Sequence, residues 1–87
     1  MDKVRQKILR RLKIAEGQVR GLQEMISKDV YCVDIITQTS AVKQALSSVE
    51  DELMENHLGT CVIDQMKKGK EGIAVGEILK VYRLKRK

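Results

Sequence analysis

The chain has 87 residues, enough for one small domain but too few for two independent hydrophobic cores. It contains no Pro, Trp or Phe and only two Tyr, which disfavours an all-β sandwich or barrel, because strands favour aromatic residues and hairpins favour Pro or Asn-Gly turns. The 17 Lys and Arg outnumber the 12 Asp and Glu, giving a net charge of +5. This excess favours a nucleic-acid partner only weakly, since many basic proteins bind none.

The sequence also bears on the cellular compartment. No apolar run approaches the ~18 residues of a membrane span, and the Met-Asp-Lys start lacks the apolar stretch of a signal peptide. We therefore expect a cytoplasmic protein that does not contact a membrane. Two cysteines in that compartment are expected to be reduced thiols, suited to metal or redox chemistry.

The first predicted element is a long amphipathic helix from about Lys3 to Lys28. Its apolar residues are spaced alternately four and three positions apart, the pattern of a heptad seam along one face. Gly17 and Gly21 leave a strip of bare backbone that another helix or a phosphate could approach. The seam consists of Val4, Ile8, Leu12, Ala15, Val19, Leu22 and Ile26.

A second, longer helix is predicted from about Val30 to Lys67, with Asp29 as its N-cap. No Pro interrupts its apolar pattern, and a single glycine, Gly59, is tolerable within it. The Lys- and Gly-rich stretch 67–72 ends this helix. A short third helix is predicted over roughly Ala74 to Leu84.

Three helices, two of them long, make a poor solitary globule. A helix of about 38 residues spans ~57 Å, several times the thickness of a ball of 87 residues. Its apolar stripe has to be covered along the whole length, and the first helix covers only part of it. We therefore predict an all-α fold whose protomers associate into an obligate antiparallel helical oligomer.

Three side chains are candidate soft metal ligands: Cys32, His57 and Cys61. His57 and Cys61 are four residues apart, which places them side by side on one helix face with Cβ atoms ~6 Å apart. Cys32 precedes His57 by 25 residues, ~37 Å along the axis, so one chain cannot bring all three together. Two such helices lying antiparallel about a two-fold axis predict two identical intersubunit sites. The alternative is that the cysteines are small buried hydrophobes and the histidine is structural.

The donor set indicates which metal is expected. Two thiolates and one imidazole form a soft set that suits Cu(I), and we expect one Cu(I) per protomer. Zinc usually takes a fourth ligand, which Asp2, the terminal amine or water could supply, so zinc remains an alternative. Nickel favours more nitrogen or oxygen donors, and His57 is the only histidine in the chain.

Three motifs resemble a known family, the CsoR/RcnR metal-sensing transcriptional repressors. Its first-helix signature is similar to Arg11-Leu-Lys-Ile-Ala-Glu-Gly-Gln-Val-Arg-Gly21, and the start of its second helix is similar to Tyr31-Cys-Val-Asp-Ile-Ile-Thr-Gln38. His57-Leu-Gly-Thr-Cys61 completes the resemblance, which covers essentially the whole chain and matches the copper-sensing branch. The nickel and cobalt branch has a histidine near the N-terminus that this chain lacks. The formaldehyde-sensing branch lacks the second cysteine, and the persulfide-sensing branch lacks the histidine.

The resemblance implies a homotetramer, built as a dimer of dimers, in which residues 1–87 form a single metal-sensing, DNA-binding domain. It implies a repressor that binds operator DNA and dissociates when Cu(I) binds, so that copper efflux genes are derepressed. Carried over by position, Cys32, His57 and Cys61 are the Cu(I) ligands. Tyr31 and Glu77 match the pair that couples the histidine to DNA release.

Candidate DNA contacts lie on the basic faces of the helices. Lys3, Lys7, Arg10 and Arg11 lie on the first helix away from its apolar seam, and Lys43 lies midway along the second. Several copies in a tetramer would form a broad basic surface for phosphates, although most individual lysines can equally belong to a solvated face. Arg11 and Lys43 match positions that the family uses for DNA contact and are the first candidates. The expected partners are operator double-stranded DNA, further copies of the chain and a copper chaperone.

Other functions fit the sequence less well than a copper-responsive repressor does. A thiol-redox or persulfide-sensing repressor would use Cys32 and Cys61 of opposite protomers as a reactive pair, but it needs no imidazole at His57. A copper carrier that does not bind DNA is disfavoured by the basic helix faces. We predict no enzymatic activity, because the sequence has one histidine, no Gly-rich phosphate loop after a strand and no evident acid–base pair.

Overall fold

The computed structural model describes residues 2–86 and is almost entirely helical. The helices are α1 (Lys3–Ser27), α2 (Cys32–Gly59), α3 (Cys61–Lys67) and α4 (Glu71–Lys85). No strand occurs in residues 2–86, and the predicted all-α class is confirmed. None of the helices in this range is long and apolar enough to cross a membrane.

Residue contacts divide the chain into two compact units, with the boundary between Leu53 and Met54. The first unit holds α1 and most of α2, and the second holds the end of α2 with α3 and α4. Because α2 runs across the boundary, the two units share one helix. A single domain over residues 1–87 stays a prediction.

Helix α1 matches its predicted bounds to within one residue, and both of its ends are capped. At the start, the Asp2 carboxylate accepts the backbone N–H of Arg5 at 2.8 Å. At the end, the N–H of Asp29 donates to the C=O of Ile26, and the N–H of Val30 donates to the C=O of Met25 at 3.0 Å. These two bonds form a Schellman motif, which satisfies carbonyl groups of the last turn.

The prediction that Asp29 caps α2 is wrong. Asp29 has a φ of 55°, in the left-handed region, because it is the residue that reverses the chain after the C-cap of α1. Short polar residues tolerate this conformation better than most L-residues. The C=O of Tyr31 accepts the first N–H bonds of α2 instead, from Asp34 at 3.0 Å and Ile35 at 3.3 Å.

The same motif ends α3, with a glycine at the reversing position. Gly69 has a φ of 71°, its N–H donates to the C=O of Met66, and the N–H of Lys70 donates to the C=O of Gln65 at 2.8 Å. The structure thus agrees with the predicted stop at Lys67. Helix α4 begins at Glu71, three residues before its predicted start.

Helices α1 and α2 form an antiparallel pair within the first unit. After the turn at Asp29, two ion pairs join the far ends of the helices, because Lys7 and Arg11 each lie 3.0 Å from Glu52. An added Cβ on Gly17 or Gly21 would meet no neighbouring helix, so the described chain places no helix against this glycine strip.

The core of the first unit is narrow. Ile8 and Ala15 of α1 and Val42 and Val49 of α2 are buried, and each pair is seven residues apart. Each helix therefore buries only two residues, one heptad apart, whereas a full seam buries two residues in every heptad. The remaining α1 seam positions are partly or largely exposed: Val4, Leu12, Val19, Leu22 and Ile26.

The second unit is organised around the packing of α3 against α4. Val62 of α3 and Ala74 of α4 are its buried apolar residues. A hydrogen bond from Nε2 of Gln65 to Oε1 of Glu77, 2.8 Å long, links the two helices. Helix α4 is thereby held to α3 by both apolar and polar contacts.

Opposite substitutions at the two Schellman turns are expected to change stability in opposite directions. Gly69→Ala should lower the free energy of unfolding by about 1 kcal/mol, because φ is positive there and the added Cβ meets open space. Asp29→Gly should raise it by a smaller amount, because it relieves the left-handed backbone of a residue that has a side chain. Urea unfolding at one protein concentration checks both, and equal signs for the two variants would contradict the assignment of the turns.

Candidate metal centre and nucleic-acid interface

The three candidate metal ligands lie at helix ends. Cys32 is the first residue of α2, His57 lies in its last turn, and Cys61 is the first residue of α3. Both cysteines are exposed free thiols, and the imidazole is partly buried. Within residues 2–86, no three His, Cys, Asp or Glu side chains form a group that could hold a metal ion.

The long second helix predicted over residues 30–67 is interrupted at Thr60, which separates α2 from α3 with φ −129° and ψ −72°. The Thr60 hydroxyl donates to the C=O of Asn56 at 2.7 Å, the carbonyl that would accept the Thr60 N–H in a regular helix. The Thr60 N–H donates instead to the C=O of His57 at 3.4 Å. Bonding of this kind from a Thr hydroxyl to the carbonyl four residues earlier bends helices.

The residue before Thr60 explains why the helix ends there and not elsewhere. Thr37 and Thr39 make the same hydroxyl-to-carbonyl bond inside α2 without ending it. Thr60 differs because Gly59 precedes it, and glycine weakens a helix by about 0.5–1 kcal/mol relative to alanine. The combination of Gly59 and Thr60 therefore produces the break.

This break corrects the geometry expected for His57 and Cys61. The two residues lie on either side of Thr60 and not on one face of a continuous helix. The Thr60 hydroxyl oxygen lies 3.7 Å from the Cys61 sulfur. The backbone of Thr60 thus separates the helix that carries His57 from the helix that carries Cys61.

The two residues expected to couple the histidine to DNA release lie in different units. Tyr31 precedes α2 with its side chain exposed. Glu77 lies exposed on α4, where its carboxylate accepts the hydrogen bond from Gln65. Sequence reasoning missed Gln65, although its position four residues after Cys61 places it on the same face of α3. Its Oε1 is buried and has no hydrogen-bond partner.

The extra ligands considered for zinc receive little support from the structure. The Asp2 carboxylate is already engaged, since it accepts the Arg5 N–H and lies 3.8 Å from the Arg5 guanidinium. The terminal amine lies outside the described residues.

The candidate DNA-contacting cations fall into two groups. Lys7 and Arg11 are both paired with Glu52, whose side chain is 22% exposed. Arg10 and Lys43 are exposed and take part in none of the ion pairs found within residues 2–86. Glu52 is a second residue that sequence reasoning missed, and the signal for it is that residues 7 and 52 are equidistant from the turn.

Comparisons with known proteins bear on this arrangement. The family model for "Metal-sensitive transcriptional repressor" matches residues 4–83. The copper-sensing transcriptional repressor CsoR of Bacillus subtilis is 46% identical over 82 residues, which cover 94% of this chain and 81% of that protein. The copper-sensing transcriptional repressor RicR of Mycobacterium tuberculosis is 48% identical over 63 residues, which cover 72% of this chain and 66% of that protein.

A solved structure is also similar. The crystal structure of the copper-sensing repressor CsoR with Cu(I) from Geobacillus thermodenitrificans matches with a TM-score of 0.91 at 36% sequence identity. The match covers 100% of this chain and 92% of that chain. The structural similarity thus extends over nearly the whole length of both chains.

Proposed function

Because the chain belongs to the metal-sensitive transcriptional repressor family, we propose that it is a repressor that responds to Cu(I). It binds operator DNA in the absence of copper and dissociates in its presence, which derepresses genes for copper efflux. The observation that carries this proposal is the donor set: two free thiols and the only histidine of a chain whose relatives are named for copper sensing.

The chemistry of this donor set fits Cu(I). Cys32 and Cys61 provide soft thiolates, and His57 provides an imidazole, a combination that suits a three-coordinate soft cation. Both thiols are exposed, so the protein need not unfold to bind the metal. Cu(I), when bound, supplies a soft acceptor that joins these three side chains. A thiol-redox or persulfide sensor would leave the histidine without a role.

Each site is proposed to draw on two protomers, with Cys32 from one and His57 and Cys61 from the other. Cys32 begins α2 and His57 lies in its last turn, so two antiparallel α2 helices bring opposite ends together. Exposed apolar side chains lie close in sequence to the ligands at both positions, and a partner protomer would bury them. They are Val33 and Ile36 beside Cys32, and Leu58 and Ile63 beside His57 and Cys61. The proposed stoichiometry is one Cu(I) per protomer, in a dimer that pairs into a tetramer.

Mixing two inactive variants tests the intersubunit site. Neither Cys32→Ala nor Cys61→Ala alone should bind Cu(I) tightly, because each removes a thiolate from both sites of the dimer. A heterodimer of the two should regain one intact site of two. Anaerobic titration against a chromophoric Cu(I) chelator measures the recovery. Verified heterodimers that recover no tight binding would refute the cross-chain arrangement.

Coupling to DNA is proposed to run through the second nitrogen of the imidazole. A ligating histidine commonly donates its other ring N–H to a carboxylate or another acceptor, which fixes the orientation of the ring. Glu77 and Tyr31 are the proposed partners of His57. Since Glu77 accepts a hydrogen bond from Gln65 in the structure, pairing with His57 requires Glu77 to exchange or share that bond. Linkage then requires that DNA-free protein hold Cu(I) more tightly than DNA-bound protein, by about 1–3 kcal/mol.

Two substitutions separate copper binding from copper-induced release. His57→Ala and Glu77→Ala should both retain Cu(I) binding through the thiolates but lose much of the release of DNA. Glu71→Ala, which removes the same charge from α4, should release DNA as the unaltered protein does. The measurement is anisotropy of a labelled duplex, selected from random-sequence DNA by the copper-free protein, during anaerobic Cu(I) titration. Normal release by both variants would show that other residues couple copper binding to DNA release. No copper-induced release from the unaltered protein would refute the proposed function.

Salt dependence tests the proposed DNA contacts. Arg11→Ala and Lys43→Ala should weaken binding to the selected duplex and flatten the log–log salt slope by ~0.9 for each phosphate that the variant no longer neutralises. Cu(I) stoichiometry should not change, because neither side chain is a proposed ligand. Lys80→Ala on α4 is the matched control and should leave the slope unaltered. An unchanged salt slope in both test variants would show that other residues form the DNA-binding surface.

A further inference from the structure

One carboxylate holds two of the cations proposed to contact DNA. Nζ of Lys7 lies 3.0 Å from Oε1 of Glu52, and Nη1 of Arg11 lies 3.0 Å from Oε2 of the same side chain. The Glu52 side chain is 22% exposed, whereas those of Lys7 and Arg11 are 58% and 40% exposed. The carboxylate is therefore the more enclosed partner, and both cations remain open to solvent.

These contacts differ from the other ion pairs of α1. Arg20 pairs with Glu16, and Lys28 pairs with Glu24, within a single helix and between largely exposed side chains. Such pairs are strongly screened by solvent and contribute little. The Glu52 contacts instead join two helices and share one carboxylate that is only 22% exposed, so they are screened less than pairs between largely exposed side chains.

The Arg11 contact has a further property. Oε2 of Glu52 is buried and receives no hydrogen bond, although the guanidinium nitrogen lies 3.0 Å away. The attraction between Arg11 and Glu52 therefore depends on charge and not on an aligned hydrogen bond.

We propose that Glu52 competes with DNA phosphates for Lys7 and Arg11 and thereby limits the affinity for DNA. This inference rests on the proposed DNA-binding function. The three charges sum to +1, so an approaching phosphate meets cations that are already partly compensated. It has to draw them away from Glu52 or lie beside a carboxylate that repels it. Because phosphate contacts carry no sequence information, Glu52 lowers the affinity for every duplex and leaves discrimination to contacts with base edges and DNA shape.

The competition also suits a repressor that has to be released. Coupling between two ligands typically changes affinity by only about 5-fold to 150-fold. A basic surface without Glu52 would bind any DNA more tightly. The same loss of affinity on metal binding would then leave more of the protein bound to DNA. Glu52 thus keeps the affinity for DNA within the range that a bound metal can reverse.

The test is Glu52→Gln, which keeps the shape of the side chain and removes its charge. Affinity for both the selected duplex and a random-sequence duplex should rise by about two- to five-fold per protomer at low salt, the range of an exposed charge pair. The rise should shrink as salt increases. Thermal stability should fall, because the contacts between α1 and α2 are weakened. A purely structural role for Glu52 predicts a fall in both stability and DNA affinity.

Matched variants separate competition from net charge. Glu16→Gln on α1 raises the net charge of the protein by one unit, as Glu52→Gln does, but it frees only Arg20. It should therefore raise the affinity for DNA less than Glu52→Gln does. Combining Glu52→Gln with Arg11→Ala should reduce the gain, because one of the cations that Glu52 holds is gone. Glu52→Asp withdraws the carboxylate from both cations by one methylene and should give part of the gain in DNA affinity. If Glu52→Gln does not fold, Glu52→Asp tests the competition in its place.

The outcomes distinguish this inference from the function on which it rests. Equal gains for Glu16→Gln and Glu52→Gln, or no gain in folded Glu52 variants, would overturn the competition while leaving DNA binding in place. Failure of the unaltered protein to bind any selected duplex would overturn the proposed function itself.

Discussion

The narrowness of the core is the constraint on which the rest of the structure depends. Within residues 2–86 the buried apolar residues are small or medium in size, and the largest is Ile8. Each long helix buries only two residues inside its own chain, and burial of apolar surface is the main favourable contribution to folding. The remaining apolar stripe is exposed in the single chain, and in the proposed oligomer another protomer covers it. The same proposed association lets Cys32 and Cys61, at the starts of α2 and α3, meet across chains in the proposed site.

A one-residue break determines how the proposed ligands are presented. On a continuous helix His57 and Cys61 would share a face, with their directions set by helix geometry. The Thr60 hydroxyl donates to the C=O of Asn56, which would accept the Thr60 N–H in a regular helix. Gly59 before it has a low helix propensity, so the helix ends there. The cysteine therefore belongs to α3, the helix that also carries Gln65 and through it contacts Glu77. Helix α3 thus carries both a proposed ligand and the contact to α4.

The residues proposed to contact DNA and those proposed to bind or sense the metal are distributed over both units of the chain. Lys7, Arg11 and Lys43 belong to the first compact unit, whereas His57 and Glu77 belong to the second. Helix α2 is the element common to both units. The proposed phosphate contacts thus lie in the first unit, whereas the proposed metal ligands come from both, with Cys32 in the first and His57 and Cys61 in the second. The proposed coupling between DNA and metal relies on the shared helix and on contacts between protomers.

The sequence by itself determined the helical class, the bounds of α1 to within one residue, the stop at Lys67, and the residue types of the candidate metal site. These features follow from periodicity and ligand chemistry, which extend over many residues or depend on side-chain identity alone. The structure decided the left-handed turn at Asp29 and the break at Thr60, because both depend on which of several donors takes a particular carbonyl. It also decided the pairing of Glu52 with two cations and of Gln65 with Glu77. Those contacts join residues that are distant in sequence, and they exist only once the helices have folded back on one another.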